Sequence, residues 1–235
     1  MTDTEHYTLH PIAHIRTDFA EKFGIPRQSG LVAELQGRIV FEPAYRNPEA
    51  LRGLEEYEYL WLIWQFSEVV RSGQDSWRPT VRPPRLGGNT RMGVFATRSP
   101  FRPNALGLSC VRLAGVEPAT PDGPVILVAG ADLLDGTPIY DIKPYLPYVD
   151  AHPDAAGGFT DRTRGYALEV DCPAELLARL PEDRRAALCG VLRSDPRPSY
   201  QHDPDRVYGM RFAGFTVRFQ VDGRRLTVCD IRPDP

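Results

Sequence analysis

The sequence predicts a mainly β protein, a β-barrel N-terminal domain over residues 7–160 followed by a small α+β C-terminal domain over residues 166–235. Three observations predict it. Between Arg91 and Tyr145 four strand-like runs, "RMGVFATR", "GLSCVRLAGVE", "PVILVAGADLL" and "TPIYDIKPY", are separated by turn residues rather than helices, the spacing of a closed or nearly closed barrel. "YLWLIWQF" is a continuous apolar run, expected as a strand buried on both faces. Past residue 166 the pattern changes to two short helices and a hairpin.

In chain order, "YTLHPIAHIR" predicts a strand from Tyr7 to Arg16. "TDFAEKFGIPRQSGLV" follows as a long loop, with turn signals at Gly24, Pro26 and Gly30. "AELQGRIVFEP" returns to strand character, and "RNPEALRGLEEY" predicts a short helix with Asn47 as N-cap and Pro48 in the first turn. "SGQDSWRPTVRPPRLGGN" has little to bury and predicts a basic, mobile surface loop. "VDAHPDAAGGFTDRTRG" is expected as a linker. "RGYALEVD" predicts a strand, and "CPAELLARLPEDRRAALCGVLRS" two helices split at Pro181, with Leu176, Leu177, Leu180, Leu188 and Leu192 as their apolar face. In "AGFTVRFQVDGRRLTVCDI" Phe215, Val217, Phe219 and Val221 alternate with polar residues before an Asp222-Gly223 turn, which predicts a hairpin.

With 42% hydrophobic and 25% charged residues the chain can bury a core, which excludes wholesale disorder. It has no apolar run of membrane-span length and no basic segment followed by an apolar core at its start, so a soluble, cytoplasmic protein is expected. Cys110, Cys172, Cys189 and Cys229 form no CxxC pair and are expected as reduced thiols. The histidines are His6, His10, His14, His152 and His202; Pro11 interrupts the His10–His14 spacing, and no metal site is expected. The net charge of −3 hides an asymmetry: Arg71 to Arg112 holds eight arginines and one acid, Asp75, for a charge of +7, and the rest of the chain carries −10. A local positive field in an acidic chain points to an anionic partner, nucleic acid or phosphate first. Arginine outnumbers lysine 26 to 2, a compositional bias that explains the choice of cation but not its clustering.

Two stretches concentrate chemistry. In "RMGVFATRSPFRPN" the alternation puts Met92, Val94 and Ala96 on one face and Arg91, Gly93, Phe95 and Thr97 on the other. Pro100 and Pro103 then force a stiff loop that holds Arg98, Arg102 and Asn104, donors suited to carboxylate or phosphate; the competing reading is that these arginines tie the barrel together through nearby acids. In "DLLDGTPIYDIKPYLPYVD" strand alternation groups Asp141, Lys143 and Tyr145, as a proton-handling site or a salt-bridged strut. Asp135-Gly136-Thr137 is a turn that could hold a ligand's polar edge or simply close a hairpin.

Together, "GIPRQSG", "RPPRLGGNTRMGVFATRSPFRPNALGLS", "DLLDGTPIYDIKPYLPY", "SDPRPSYQ" and "RVYGMRF" resemble the TrmO family, the TsaA-like, S-adenosyl-L-methionine-dependent tRNA methyltransferases. The resemblance runs from about Leu9 to the C-terminus. It implies methyl transfer to N6 of threonylcarbamoyl-adenosine next to the anticodon (position 37), chiefly in threonine tRNA, on a β-barrel, by a homodimer with the cofactor near the subunit interface. By motif it implies cofactor contacts at Pro26, Arg27, Gln28, Phe66, Ser67, Arg91, Asp135, Gly136, Thr137 and Pro138. Ser67 departs from a histidine found in many members, and Ala105 from a proline.

A sulfonium donor is already activated, so the enzyme's main task is to align N6 with the methyl carbon. Asp141 is the first candidate to accept or orient the N6 proton, Tyr145 the second, with Lys143 beside them. Arg98, Arg102 and Asn104 are expected to grip the threonyl carboxylate, and Phe101 or Tyr145 to stack on the base. The second domain is expected to hold tRNA through Arg197 and Arg211, or to pack against the dimer. The alternatives are a non-catalytic RNA- or nucleotide-binding module, and a methyltransferase for another RNA or a small molecule.

Overall fold

A computed structural model describes residues 8–68, 77–163, 165–197, 201 and 203–234. His6, Tyr7, Arg71, Asp75 and His202 lie outside the described residues.

Six strands close the barrel, in the order β1 (Ala13–Thr17), β2 (Gln36–Phe41), β7 (Gly123–Ala129), β6 (Leu106–Thr120), β3 (Tyr59–Gln65) and β8 (Thr137–Pro144), with β8 pairing back onto β1. All neighbours are antiparallel. Closure leaves no free sheet edge and gives each strand an inside and an outside. Hence β3 is not buried on both faces as its composition suggests. Leu60, Leu62 and Trp64 point into the core, while Trp61 lies half-buried outside, its Nε1 donating to Asp150 Oδ2 at 3.0 Å. Asp150 belongs to helix α1 (Pro147–Asp150).

The first strand begins later than its apolar residues suggest, at Ala13, after Pro11. The expected helix after Asn47 is two 3-10 turns, Pro48–Leu51 and Leu54–Glu56, broken by Gly53 at φ +82°. Asn47 caps the first as its type predicts, its Oδ1 accepting from Glu49 N at 3.0 Å.

The largest departure is "RMGVFATR". Only β5 (Met92–Gly93) is strand, paired with the two-residue β4 (Thr80–Val81), and a 3-10 turn follows at Val94–Ala96. The cause is tertiary. The Arg102 guanidinium reaches back to Val94 O (3.1 Å) and Thr97 O (2.7 Å), and the Thr97 hydroxyl donates to Val94 O at 2.8 Å. The alternation in exposure holds from Arg91 to Phe95, with Met92 half-buried and Val94 buried between exposed neighbours, and is lost at Ala96, which is exposed.

The second unit is a four-stranded sheet ordered β10 (Tyr208–Phe212), β11 (Phe215–Asp222), β12 (Arg225–Pro233) and β9 (Glu169–Asp171). The β11–β12 hairpin turns at Gly223, φ +55°. The helices α2 (Ala174–Leu177) and α3 (Glu182–Arg193) flank Pro181, and Leu180, Leu188 and Leu192 are buried as the pattern predicts.

There are two apolar cores. One fills the barrel around Ile15, Ile39, Leu60, Leu62 and Ile126. The other lies between the second sheet and α3, and it includes Phe19, Val32 and Leu35 from the β1–β2 loop. Phe23 and Ile25 pack against it as well. The loop that carries "GIPRQSG" is therefore anchored in the second core.

Candidate functional site: a cavity opening on an arginine-lined groove

A cavity of about 470 Å³ opens at the end of β3 and β8. Its walls are Pro26, Arg27 and Gln28 on one loop, Trp64, Phe66 and Ser67 at the end of β3, Leu106 and Leu108 on β6, and Thr137 opening β8. Arg98 and Arg102 close it. Four sequence segments far apart in the chain thus meet, and eight of the expected site residues are among them.

Each segment is held by a local device. Gly30 and Gly130, at φ +76° and +77°, clip the first loop to the end of β7: Gly30 N donates to Gly130 O at 2.9 Å, and a Cβ on Gly130 would lie 3.3 Å from Gly30 Cα. Arg27 Nη2 donates to Arg197 O at 3.3 Å. Arg197 is 6% exposed and held bidentately by Asp195, at 2.9 and 3.1 Å. Buried and neutralised, Arg197 supports this loop and does not face a polyanion, contrary to its expected contact with tRNA. Arg211 Nε is likewise occupied, by Asp234 Oδ2 at 2.7 Å. Arg98 Nη1 donates to Gln28 Oε1, which ties the stiff arginine loop to the first.

The floor holds a relay absent from the sequence-based candidates. Trp64 Nε1 donates to Ser109 Oγ at 3.0 Å, and Ser109 Oγ donates to Asp132 Oδ1 at 2.7 Å. Burial pushes the Asp132 carboxyl above its usual range, and the Ser109 hydroxyl draws it partly back. The sequence signal for Asp132 is its place between an apolar strand and a turn, in "VAGADLLDG", three residues before the more conspicuous Asp135-Gly136 pair. Asp135 serves the barrel: its Oδ1 accepts from Thr17 N at 3.0 Å, and Gly136 N donates to Ile15 O at 2.8 Å. Neither Asp135, Gly136 nor Pro138 lines the cavity.

Asp141, Lys143 and Tyr145 are not brought to it. Asp141 pairs across the sheet with Ile63, one residue before the cavity residue Trp64, but does not itself line the cavity. It pairs with Lys143 Nζ at 2.9 Å and caps Ile142 N, the strut arrangement. Tyr145 packs on Tyr59 and Trp61, with ring centroids 6.1 and 5.8 Å away. Asn104 is exposed and does not reach the cavity.

Beyond Arg98 and Gln28 the cavity meets a groove of about 1780 Å³ that runs between residues 78–101 and the second unit. Arg78, Arg82, Arg91, Arg98 and Arg193 line it, against two acids, Glu34 and Asp161. Arg91 faces this groove and not the cavity. An apolar cavity with a few converging polar groups suits a small ligand; a cationic groove beside it suits a polyanion.

The chain was compared with known proteins. Residues 14–151 match the model of the tRNA-methyltransferase O N-terminal domain, and residues 166–234 that of the TrmO C-terminal domain. A tRNA (adenine(37)-N6)-methyltransferase of Escherichia coli is 39% identical over 97% of this chain and 98% of its own length. A Pseudomonas aeruginosa protein, named provisionally as an S-adenosylmethionine-dependent methyltransferase, is 43% identical over 91% of this chain and 92% of its own length. A crystal structure of TrmO from Pseudomonas aeruginosa superposes with a TM-score of 0.76 at 33% identity, covering 97% of this chain and 100% of that one. Over its whole described length, barrel and second unit alike, the chain belongs to the TrmO family.

Proposed function

We propose that the chain methylates N6 of adenine 37 in tRNA, with S-adenosyl-L-methionine as donor, and that its substrate adenosine is threonylcarbamoylated, chiefly in threonine tRNA. The observation that carries this reading is one opening, at Arg98 and Gln28, shared by a cofactor-sized apolar cavity and an arginine-lined groove. The relatives' names supply the reaction class. The family resemblance supplies the threonylcarbamoyl group, the tRNA and a cytoplasmic homodimer.

The cavity fits the donor in its chemistry. Trp64 and Phe66, 4.3 Å apart at their centroids, offer ring faces for a nucleoside, and Asp132 offers a half-buried acceptor for a cation or hydroxyl. Pro26, Arg27, Gln28, Phe66, Ser67 and Thr137 would hold it, while Asp135, Gly136 and Pro138 shape the turn that presents Thr137. When bound, S-adenosyl-L-methionine supplies the methyl group from its sulfonium. The chain's residues contribute orientation and water exclusion around the N6 amine. Arg98 reaches both cavity and groove and is placed to grip the threonyl carboxylate; Arg102 builds the loop that aims it. Asp141, Lys143 and Tyr145 do not line the cavity in one chain, so a part for them in proton handling requires a second subunit beside it. The domain limits 7–160 and 166–235 are read with the β1–β2 loop embedded in the second core.

The test is methyl transfer by the purified protein from S-adenosyl-L-methionine to tRNA with and without the threonylcarbamoyl group, read by nucleoside mass spectrometry. A methylated threonylcarbamoyl-adenosine is expected. Arg98→Lys should lower kcat/KM about tenfold on the modified tRNA and much less on the unmodified one, since only the former offers a carboxylate to a guanidinium fork. Equal losses on both substrates would reject the carboxylate grip.

A further inference from the structure

Phe95 is 71% exposed, on the rim of the arginine-lined groove. Its ring stacks on that of Trp77, itself 43% exposed, with centroids 5.9 Å apart and planes within 26°. The Arg102 guanidinium stands 5.5 Å from the Phe95 ring centroid. The backbone beneath is rigid, because the Val94–Ala96 turn is tied down by Thr97 and Arg102. Two large π-faces in water, one of them on a tied-down turn, bury little and contribute little to folding. They do match what an unstacked base needs.

We propose that Trp77 and Phe95 form a stacking platform for an unpaired nucleobase of the anticodon loop, adjacent to the adenine that enters the cavity. This rests on the tRNA reading above and adds a surface to it. Charge selects the occupant: among the described residues Arg82 and Arg91 pair with no carboxylate, so these two cations of the groove are available to phosphates. Of its two acids, Asp161 is already engaged by Gly157 N at 2.8 Å. Distance selects the base. Phe95 is three residues from Arg98 at the cavity mouth, at most about 10 Å of chain, the reach of a neighbouring nucleotide and not of a distant stem. An enzyme that draws one base out of a loop must give its neighbour a new stacking partner.

The experiment measures tRNA affinity by fluorescence anisotropy, with S-adenosyl-L-methionine affinity by calorimetry and oligomeric state by light scattering on the same samples. Trp77→Ala/Phe95→Ala should weaken tRNA binding about tenfold or more, as loss of base stacking does, with donor affinity unchanged. Trp77→Phe and Phe95→Tyr keep a ring and should bind nearly as wild type, whereas Phe95→Leu, apolar but without a π-face, should not. The dependence of affinity on salt gives a second readout. The aromatic variants should keep the wild-type slope, and Arg82→Ala/Arg91→Ala should flatten it by roughly two. With wild type active, unchanged tRNA affinity in the double aromatic variant overturns the platform alone. A changed oligomeric state in that variant makes the patch an interface between copies and overturns it too. Inactive wild type on any tRNA rejects the functional reading instead.

Discussion

Asp132 sits where burial opposes charge: desolvation raises its carboxyl, and hydrogen bonding from Ser109 and the Arg98 charge only partly offset this. A carboxyl raised in the folded state binds its proton more tightly there than in the unfolded chain. Its contribution to stability is therefore full below the unfolded value and is lost as pH rises through the folded one. Asp132→Asn keeps an oxygen for the Ser109 hydroxyl and removes the charge. Urea titrations of wild type and variant between pH 4 and 7 should show the variant gaining relative stability as pH rises. The same substitution should weaken S-adenosyl-L-methionine binding about tenfold in calorimetry, the scale of one charged hydrogen bond. A variant that tracks wild type at every pH would mean that the group stays ionised at no cost. Arg102 teaches a different lesson at this scale. Its spacing offered a ligand contact, but its Nη1 serves two carbonyls of its own loop, a choice the local sequence does not contain.

Among the elements, the β3–β6 pair shapes the cavity floor. Gly107 pairs with Trp64, and a Cβ on Gly107 would lie 2.2 Å from indole Cε2. The ring lies flat over a strand that has no side chain at that point, and this directs Trp64 Nε1 to Ser109. Gly107→Ala must move a rigid, 7%-exposed indole. It should cost about 2–3 kcal/mol, as overpacking does, and break the relay to Asp132, visible as a shift in tryptophan fluorescence together with lost donor affinity. The sequence marked "GLS" as strand but held no trace of what would cover the glycine. In "YLWLIWQF" composition and outcome differ for a related reason: on the outside of the barrel strand Trp61 packs on Tyr145 and hydrogen-bonds Asp150 of α1, partners that a strand-level reading does not see.

For the molecule as a whole, the β1–β2 loop is the joint between two cores. Phe19, Val32 and Leu35 are buried with α3 and the second sheet, and Arg184 of α3 pairs with Asp18 at 2.9 Å. Gly190 on α3 packs directly on Val32, where an added Cβ would lie 2.6 Å from Cγ1. Gly190→Val should push α3 from the loop at a cost of about 2 kcal/mol, roughly 4–8 °C in Tm. Because the same loop carries Arg27 and Gln28, donor affinity should fall as well, although residue 190 is outside the cavity. Unchanged donor affinity in a destabilised Gly190→Val protein would show that the second core does not position the loop.

By itself the sequence determined the barrel, the α+β unit, the helix break at Pro181, the cap at Asn47 and the concentration of arginines beside a stiff loop. Those features follow from period, turn chemistry and charge, which act between near neighbours. Only the tertiary structure decided which of those residues share a cavity. It brought Arg98 and Gln28 together across 70 residues, assigned Asp132 instead of Asp141 to the cavity, sent Arg197 inward to Asp195, and left Phe95 outside. Those outcomes depend on where a closed sheet brings its strand ends and on what each burial costs, and neither quantity is encoded within any single stretch of chain.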